Sequence, residues 1–296
     1  MFATVDTQNP FDLGNTGDYL VWRDRKLRHA ITDPDALIVE INDPRALTQA
    51  EHAALLDRCR RSNMAIYASA CLDEDSGIPR TFARQFGLEH LDANWLADED
   101  GISEIKTNGA GTRQSYIPYT DRPIKWHTDG YYNPPGRKIC GMLLHCVRSA
   151  AQGGENRLMD HEIAYLMLRD QNPEFIHALM RNDAMTIPER VDEQDGIRSA
   201  QSGPVFSLNA DRSLHMRYTA RTRSIEWKQD DITRQAVAAL ERLLAVATGH
   251  ILQVRLEPGM GLLCNNVLHD RAAFSDTPGS PRLLYRARYY ERIATS

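Results

Sequence analysis

The chain has 296 residues, enough for one large domain with a substantial core, and carries a net charge of −5 at a pI near 6.1. That mildly acidic balance gives no case for a nucleic-acid partner, and no apolar run approaches the ~20 residues that a membrane helix needs. Residues 1–10 lack a basic segment followed by an apolar one, so we expect no signal peptide. Five cysteines without a CxxC pair favour a reducing, cytoplasmic location.

The first 104 residues predict a strand–helix–strand unit and supporting loop. Residues 1–35 are polar and are expected to be irregular and exposed. The sequence from Thr48 to Glu51 is a capping box that begins a helix. Strands on either side of that helix are predicted from β-branched content over 36–41 and 64–69. The acidic stretch 90–104 is expected to be exposed loop.

Residues 105–296 predict short strands separated by glycine and proline turns. These strands are expected over 140–147, 155–159, 205–208, 214–218, 251–256, 261–264 and 283–290. Helices over 162–170, 174–181 and 231–247 would form a helical insert at about 162–248. The pattern predicts a mainly β chain, a sandwich or jelly roll decorated by α-helices, in a single domain spanning 1–296.

The motif with the clearest chemistry is His127-Thr128-Asp129 in a segment rich in strand formers. Residues i and i+2 of a strand point to the same face, so one imidazole and one carboxylate can aim at a common point. His269, at the end of a predicted strand, is the candidate third ligand. Two histidines and one carboxylate hold non-haem Fe(II) and leave coordination positions open.

The motif alone is weak, because His90-Leu91-Asp92 matches it as well and His127 is equally compatible with a satisfied core histidine. Arg282 strengthens it. A hairpin after His269 would place this arginine on the neighbouring strand, further into the same cavity, where a guanidinium can bind the distal carboxylate of a 2-oxo dicarboxylate. Taken singly, Arg282 and Arg286 are also compatible with ordinary exposed strand arginines.

In this order, the motifs resemble the Fe(II)- and 2-oxoglutarate-dependent oxygenases of the taurine dioxygenase and γ-butyrobetaine/trimethyllysine hydroxylase group. The matching residues are 126–129, 134–135, 143–146, 153–156, 266–271 and 282–286, whereas 184–228 match neither branch clearly. The resemblance implies a double-stranded β-helix core. It also implies that His127, Asp129 and His269 bind iron and that Arg282, Asn156 and Arg286 lie at 2-oxoglutarate. Arg286 would in addition face an anionic group of the substrate.

The expected activity is hydroxylation, or oxidative cleavage through hydroxylation, of a small polar metabolite that is anionic or zwitterionic. It would consume O2 and 2-oxoglutarate and release succinate and CO2. Tyr131 and Tyr132 are candidates for an aromatic contact with substrate, and Arg221 and Arg286 for its anionic group. Two alternatives stay open, a cupin-like Zn or Mn hydrolase or isomerase and a jelly-roll metabolite-binding protein without turnover. A homo-oligomer also stays open.

Overall fold

The computed structural model describes residues 9–92, 101–107, 116–192, 196–221, 225–246 and 248–294. The chain divides into two compact units. Unit 1 comprises Met1–Ala30, His161–Met216 and Thr222–Val246, and unit 2 comprises Ile31–Asp160, Arg217–Arg221 and Ala247–Ser296. Most of the predicted insert lies in unit 1, and the candidate metal ligands lie in unit 2. That one domain spans 1–296 stays a prediction.

Six α-helices lie in the described ranges: α1 (Thr16–His29), α2 (Gln49–Ser62), α3 (Gly77–Arg84), α4 (His161–Gln171), α5 (Pro173–Leu179) and α6 (Asp231–Ala245). The predicted capping box at the start of α2 is confirmed. The Glu51 N–H donates to the Thr48 hydroxyl at 3.3 Å, and the Thr48 N–H donates to the Glu51 carboxylate at 2.6 Å. No helix among the described residues has the length and apolar content needed to cross a membrane.

Helix α1 corrects the prediction of an irregular, exposed N-terminal segment. Asn15 caps it by accepting a hydrogen bond from the Asp18 N–H at 3.1 Å, and Tyr19, Trp22 and Lys26 are buried along one side. Their spacing of three and four residues is that of a helix face. The polar composition did not reveal this buried face because one of its residues is a lysine. Lys26 forms an ion pair with Glu162 inside unit 1.

The strands are short. They are β1 (Ile38–Glu40), β2 (Met64–Ala68), β3 (Ser103–Lys106), β4 (Ile124–His127), β5 (Gly141–Arg148), β6 (Gln152–Gly153), β7 (Asn156–Met159), β8 (Met185–Ile187), β9 (Arg190–Asp192) and β10 (Gly196–Arg198). The remainder are β11 (Gln201–Gly203), β12 (Phe206–Leu208), β13 (Leu214–Met216), β14 (Glu226–Trp227), β15 (Leu252–Val254), β16 (Met260–Cys264), β17 (Leu268–Arg271), β18 (Phe274–Ser275) and β19 (Leu283–Tyr289). The fold is therefore a β-rich core with helices.

Two sheets make up the larger part of unit 2. One has six strands in the order β1-β2-β16-β5-β19-β3, and the other has four in the order β15-β7-β17-β4. A buried apolar cluster joins their inner faces, with Leu144 and Leu284 from the first sheet packed with Leu158 and Leu252 from the second. The outer face of the six-stranded sheet packs with residues of α2 and α3.

The alternation along β19 decides what faces the space between the sheets. Leu283, Tyr285, Ala287 and Tyr289 belong to the cluster under the helices, so Leu284, Arg286 and Arg288 point to the inner side.

The prediction of exposed loop over 90–104 is wrong at its end. Ile102 and Ser103 are buried and β3 pairs with β19, whereas 93–100 lie outside the described residues.

Candidate metal centre

The two candidate histidines are cross-strand partners. His127 on β4 lies directly opposite His269 on β17, and their ring centroids are 4.2 Å apart. Each ring places its Nδ1 2.9 Å from the carbonyl oxygen two residues earlier, Lys125 and Val267 respectively. A carbonyl only accepts, so each Nδ1 carries a proton, and in the neutral ring the lone pair that a metal needs lies on Nε2.

Asp129 reaches the histidines by a different route from the one predicted. Strand β4 ends at His127, so the two residues do not share a pleated face. Asp129 instead lies in a turn completed by Gly130, whose φ is +68°. A Cβ at Gly130 would lie 2.4 Å from Ile139 Cγ1, so only glycine fits there. This turn places Asp129 Oδ1 3.6 Å from His127 Nε2.

Together these residues form a compact donor set. One ligand atom from each of His127, Asp129 and His269 lies within 4.8 Å of the others, and the side chains are buried or nearly so. Two imidazoles and one carboxylate on one side of an ion match the preference of non-haem Fe(II). The carboxylate oxygen Oδ2 is buried and makes no hydrogen bond, although Arg286 lies within ion-pair distance at 3.3 Å, so it keeps a lone pair for a metal.

The surroundings favour the metal-binding protonation state. Burial acts to raise the pKa of Asp129, but the Arg286 guanidinium, 3.3 Å away, and His127 hold it well below the ordinary range. Burial, with repulsion from His127, lowers the pKa of His269 to about 3. At neutral pH, Asp129 and His269 therefore lose no proton when a metal binds.

Arg282 does not reach the site by the predicted hairpin. Strand β17 belongs to the four-stranded sheet and β19 to the six-stranded one, with β18 between them in the chain. Arg282 is nevertheless only 5% exposed, and its guanidinium carbon lies 5.1 Å from the centroid of the Phe274 ring. Its main-chain N–H donates to the Asp276 carboxylate, but its guanidinium makes no hydrogen bond or ion pair with the described residues. Burial lowers the pKa of this guanidinium.

Arg271 is a buried arginine of the opposite kind. Its guanidinium donates to the carbonyl oxygens of Pro118, Thr120 and Arg122 at 3.1, 2.6 and 2.6 Å. These bonds hold the segment that leads into β4. Both Arg271 Nη atoms are engaged and its buried Nε has no hydrogen-bond partner, so Arg271 is a poorer candidate than Arg282 for an anion anchor that binds a carboxylate through two parallel hydrogen bonds.

Asn156 and Arg286, assigned above through the resemblance, both lie in this region. Asn156 on β7 is buried and donates to the main-chain carbonyl of Asp270 on β17 at 2.7 Å. Arg286 places its Nη1 3.4 and 3.3 Å from the two Asp129 oxygens, and its buried Nε has no hydrogen-bond partner. The roles of both residues stay predictions.

The candidate substrate residues differ in their surroundings. Tyr131 and Tyr132 follow the Asp129 turn, are half-buried and pack edge to face at 5.2 Å. The Tyr132 hydroxyl accepts a hydrogen bond from Arg288 at 2.9 Å. Arg221 is exposed, at the end of the segment 217–221 in unit 2.

The second His-x-Asp match has a structural role. Asp92 is buried and accepts hydrogen bonds from Arg288, Arg137 and the Tyr290 hydroxyl at 2.7, 2.8 and 2.7 Å. His90 is exposed and pairs with Glu291. Neither residue belongs to the donor set. This second match therefore shows that a His-x-Asp motif alone does not identify a metal site.

Two contributions were not predicted. Thr219 forms a β-bridge with His127, and the Thr128 N–H donates to the Tyr218 carbonyl at 3.0 Å, so part of the unmatched segment 184–228 supports β4. Asn266 is hydrogen-bonded to the main chain of Asp129. An asparagine three residues before His269 was visible in the sequence, but neither its burial nor its partner was deducible from it.

Comparison with known proteins gives relatives of two kinds. Curated relatives named uridine-5'-phosphate dioxygenase come from an Amycolatopsis species, 33% identical over 56% of this chain and 60% of that protein, and from a Streptomyces species, 29% identical over 64% of this chain and 69% of that protein. The first match thus spans less than two thirds of the relative's length.

Solved structures share the fold at low identity. PvcB from Pseudomonas aeruginosa is 16% identical, with a TM-score of 0.57 over 86% of this chain and 85% of its own. Asparagine oxygenase in complex with Fe(II), a hydroxyasparagine and succinate is 13% identical, with a TM-score of 0.59 over 97% of this chain and 86% of its own. The oxygenase OrfP in complex with Fe and α-ketoglutaric acid is 16% identical, with a TM-score of 0.58 over 97% and 92%.

A family model described as "Taurine catabolism dioxygenase TauD, TfdA family" matches residues 25–288, most of the chain. The match confirms the predicted family, and with it the predicted enzyme class and cofactor set of Fe(II), 2-oxoglutarate and O2. The chain belongs to the TauD/TfdA family of Fe(II)- and 2-oxoglutarate-dependent dioxygenases.

Proposed function

We propose that the protein hydroxylates a small anionic metabolite at a metal centre made by His127, Asp129 and His269. The observation that carries the proposal is the donor set itself, with three ligand atoms within 4.8 Å of one another and both imidazoles bonded to main-chain carbonyls through Nδ1, which leaves Nε2 as the nitrogen available to a metal. When bound, Fe(II) and 2-oxoglutarate supply the oxidising chemistry. The overall reaction converts R–H, O2 and 2-oxoglutarate into R–OH, succinate and CO2.

Arg282 is the proposed anchor for the distal carboxylate of 2-oxoglutarate. A buried guanidinium without a protein anion is costly, and a carboxylate that accepts two parallel hydrogen bonds offsets that cost. Arg271 lies on the same Phe274 ring, at 4.8 Å, and its repulsion with Arg282 adds to the demand for an anion. Asn156 is proposed to lie beside the cosubstrate.

The formal charges of the filled site support an anionic substrate. Fe(II) and Asp129 together carry one positive charge, Arg282 and Arg286 add two, and the two carboxylates of 2-oxoglutarate remove two. Arg288 does not enter the balance because Asp92 pairs with it. One buried positive charge is left, and Arg271, whose guanidinium donates to main-chain carbonyls, adds a second. A substrate that brings a negative group is therefore favoured over a neutral one.

We propose Arg286 as the residue that meets this negative group, because its Nε is buried, inward-facing and without a hydrogen-bond partner. Tyr131 and Tyr132, next to the metal turn, are proposed to contact the uncharged part of the substrate, with Arg221 at the rim. Among small anionic metabolites, a 5'-nucleoside monophosphate is the first candidate, since the curated relatives are named for uridine 5'-phosphate.

The proposed function also implies a fold and a domain organisation. We propose that the six- and four-stranded sheets of unit 2 are the two faces of a double-stranded β-helix, and that residues 1–296 act as one oxygenase domain. A single calorimetric unfolding transition, with the same midpoint by near- and far-ultraviolet circular dichroism, is expected for one domain. Two separate transitions would assign units 1 and 2 to independent domains.

A coupled assay tests the function. Succinate release and O2 uptake are measured with 5'-nucleoside monophosphates, the parent nucleosides, sulfonates and amino acids, each at equal concentration. An anionic compound should raise succinate release above the substrate-free rate, and its uncharged parent should not. Equal stimulation by a nucleoside and its 5'-phosphate would refute the anionic requirement.

A further inference from the structure

We infer that Asn266 is a positioning residue for the metal centre, and that its side-chain amide sets where the Asp129 carboxylate lies relative to His269. The inference rests on the proposed function, because it assumes that these residues bind the metal. It assigns a role to a side chain that touches neither metal nor substrate in the proposed arrangement.

The Asn266 side-chain amide forms hydrogen bonds with both the main-chain N–H and the main-chain carbonyl of Asp129. Its Oδ1 accepts a hydrogen bond from the Asp129 N–H at 2.8 Å, and its Nδ2 donates to the Asp129 carbonyl at 3.0 Å. The second Nδ2 hydrogen donates to the Ile139 carbonyl at 2.7 Å. With 2% of the residue exposed, both N–H donors and the acceptor are used inside the protein.

The backbone at Asn266 explains why an asparagine occupies the position. It lies in the connection between β16 and β17, where the chain passes from one sheet to the other, and its φ of +47° is in the left-handed region. Asparagine adopts this region more readily than most residues. Glycine would adopt it as well but has no amide, and aspartate would lack the two donors.

Asn266 therefore links two ligand segments that are remote in sequence. It lies three residues before His269, and its amide holds the turn that carries Asp129. The other side of that turn is held by Ile139, whose side chain leaves no room for a Cβ at Gly130. Without the amide, the Asp129 N–H and carbonyl would lose the two hydrogen bonds that tie them to the His269 segment, and the carboxylate would lose its fixed distance to His269.

The neighbouring residue is a matched control. Asn265 lies in the same connection and is equally buried at 3% exposed, but it donates to the Asn63 side chain at 3.1 Å and accepts from the Ile293 N–H at 3.0 Å. None of these partners is Asp129. A general loss of order in the connection would therefore affect both asparagines, whereas a positioning role is specific to Asn266.

The test compares Asn266→Gly, which preserves the left-handed backbone, with Asn265→Ala. Co(II) is used as the probe, and its binding to the metal-free full chain is followed by calorimetry and by its visible d–d absorption. Asn266→Gly should raise the Co(II) Kd by about 10- to 100-fold and change the d–d spectrum. Asn265→Ala should lower the melting temperature of the metal-free protein but leave the Co(II) Kd within about twofold of wild type.

A folded Asn266→Gly protein with wild-type Co(II) affinity and spectrum would overturn the inference. If this variant does not fold, Asn266→Asp keeps the acceptor and the residue volume but removes both donors, and the same loss of affinity is expected. Failure of the wild-type protein to bind Co(II) at all would count against the metal site itself, so the two failures are distinguishable.

Discussion

Replacing Arg282 with methionine should separate cosubstrate binding from metal binding. The guanidinium is buried, and in the proposed complex its partner carboxylate is buried with it. Removing one member of a buried, hydrogen-bonded ion pair costs about 3–5 kcal/mol, because the remaining charge is left without compensation. At 1.4 kcal/mol per factor of ten, we expect the 2-oxoglutarate Kd to rise by about 10²- to 4 × 10³-fold.

The same substitution should not destabilise the ligand-free protein, although it weakens cosubstrate binding. In the metal-free, ligand-free protein the Arg282 guanidinium forms no ion pair with the described residues, and attraction from Asp276 offsets only part of its desolvation, since its pKa stays lowered. Arg282→Met should therefore leave the melting temperature unchanged or raise it. Arg282→Lys, which keeps the charge but not the paired donors, should weaken 2-oxoglutarate binding by about tenfold.

Calorimetric titration of 2-oxoglutarate into anaerobic, Fe(II)-loaded protein measures the affinity, with iron content determined on each sample. Arg84→Met, which removes an exposed arginine of α3, controls for the change in net charge. Wild-type 2-oxoglutarate affinity in Arg282→Met would refute the assignment of the anchor. Loss of iron from that variant would show that Arg282 acts on the metal site rather than on the cosubstrate.

Three further outcomes are expected. Burial lowers the pKa of His145 from an ordinary 6.5 to about 4, so between these pH values the unfolded chain binds more protons and the free energy of unfolding falls as the pH drops. In denaturant titrations of the metal-free protein, His145→Gln should reduce the dependence of the free energy of unfolding on pH between 4 and 6.5. An unchanged pH dependence would contradict this assignment to His145. Gly130→Ala should weaken Co(II) binding because its Cβ would collide with Ile139, and wild-type affinity would refute that reasoning. Arg286→Gln should raise the KM of an anionic substrate more than that of 2-oxoglutarate, and equal effects would contradict a substrate role.

The donor set was within reach of the sequence, but its geometry was not. His127, Asp129 and His269 were identifiable by type and order. The expectation that a strand presents the first two on one face failed because β4 ends at His127. Asp129 is placed by a glycine turn and by Asn266, and the Asn266 contacts join residues more than a hundred positions apart. No local pattern encodes such contacts.

Arg282 shows the same division. Its role as the anchor for the far end of a 2-oxo dicarboxylate stays a prediction, with which its burial is consistent. Its route was not predictable, since the prediction of a hairpin relied on the nearest strand in sequence while β17 and β19 belong to different sheets. Helix α1 was missed for a related reason. Lys26 reads as a surface residue until its partner is known.

One spectrum tests the central claim most directly. Anaerobic protein loaded with stoichiometric Fe(II) is titrated with 2-oxoglutarate and its visible absorption is recorded. A weak metal-to-ligand charge-transfer band should appear only when both are present, and His269→Ala, which removes a ligand, should abolish it. Iron-loaded wild-type protein that shows no such band at saturating 2-oxoglutarate would contradict the proposal that His127, Asp129 and His269 hold iron in an oxygenase.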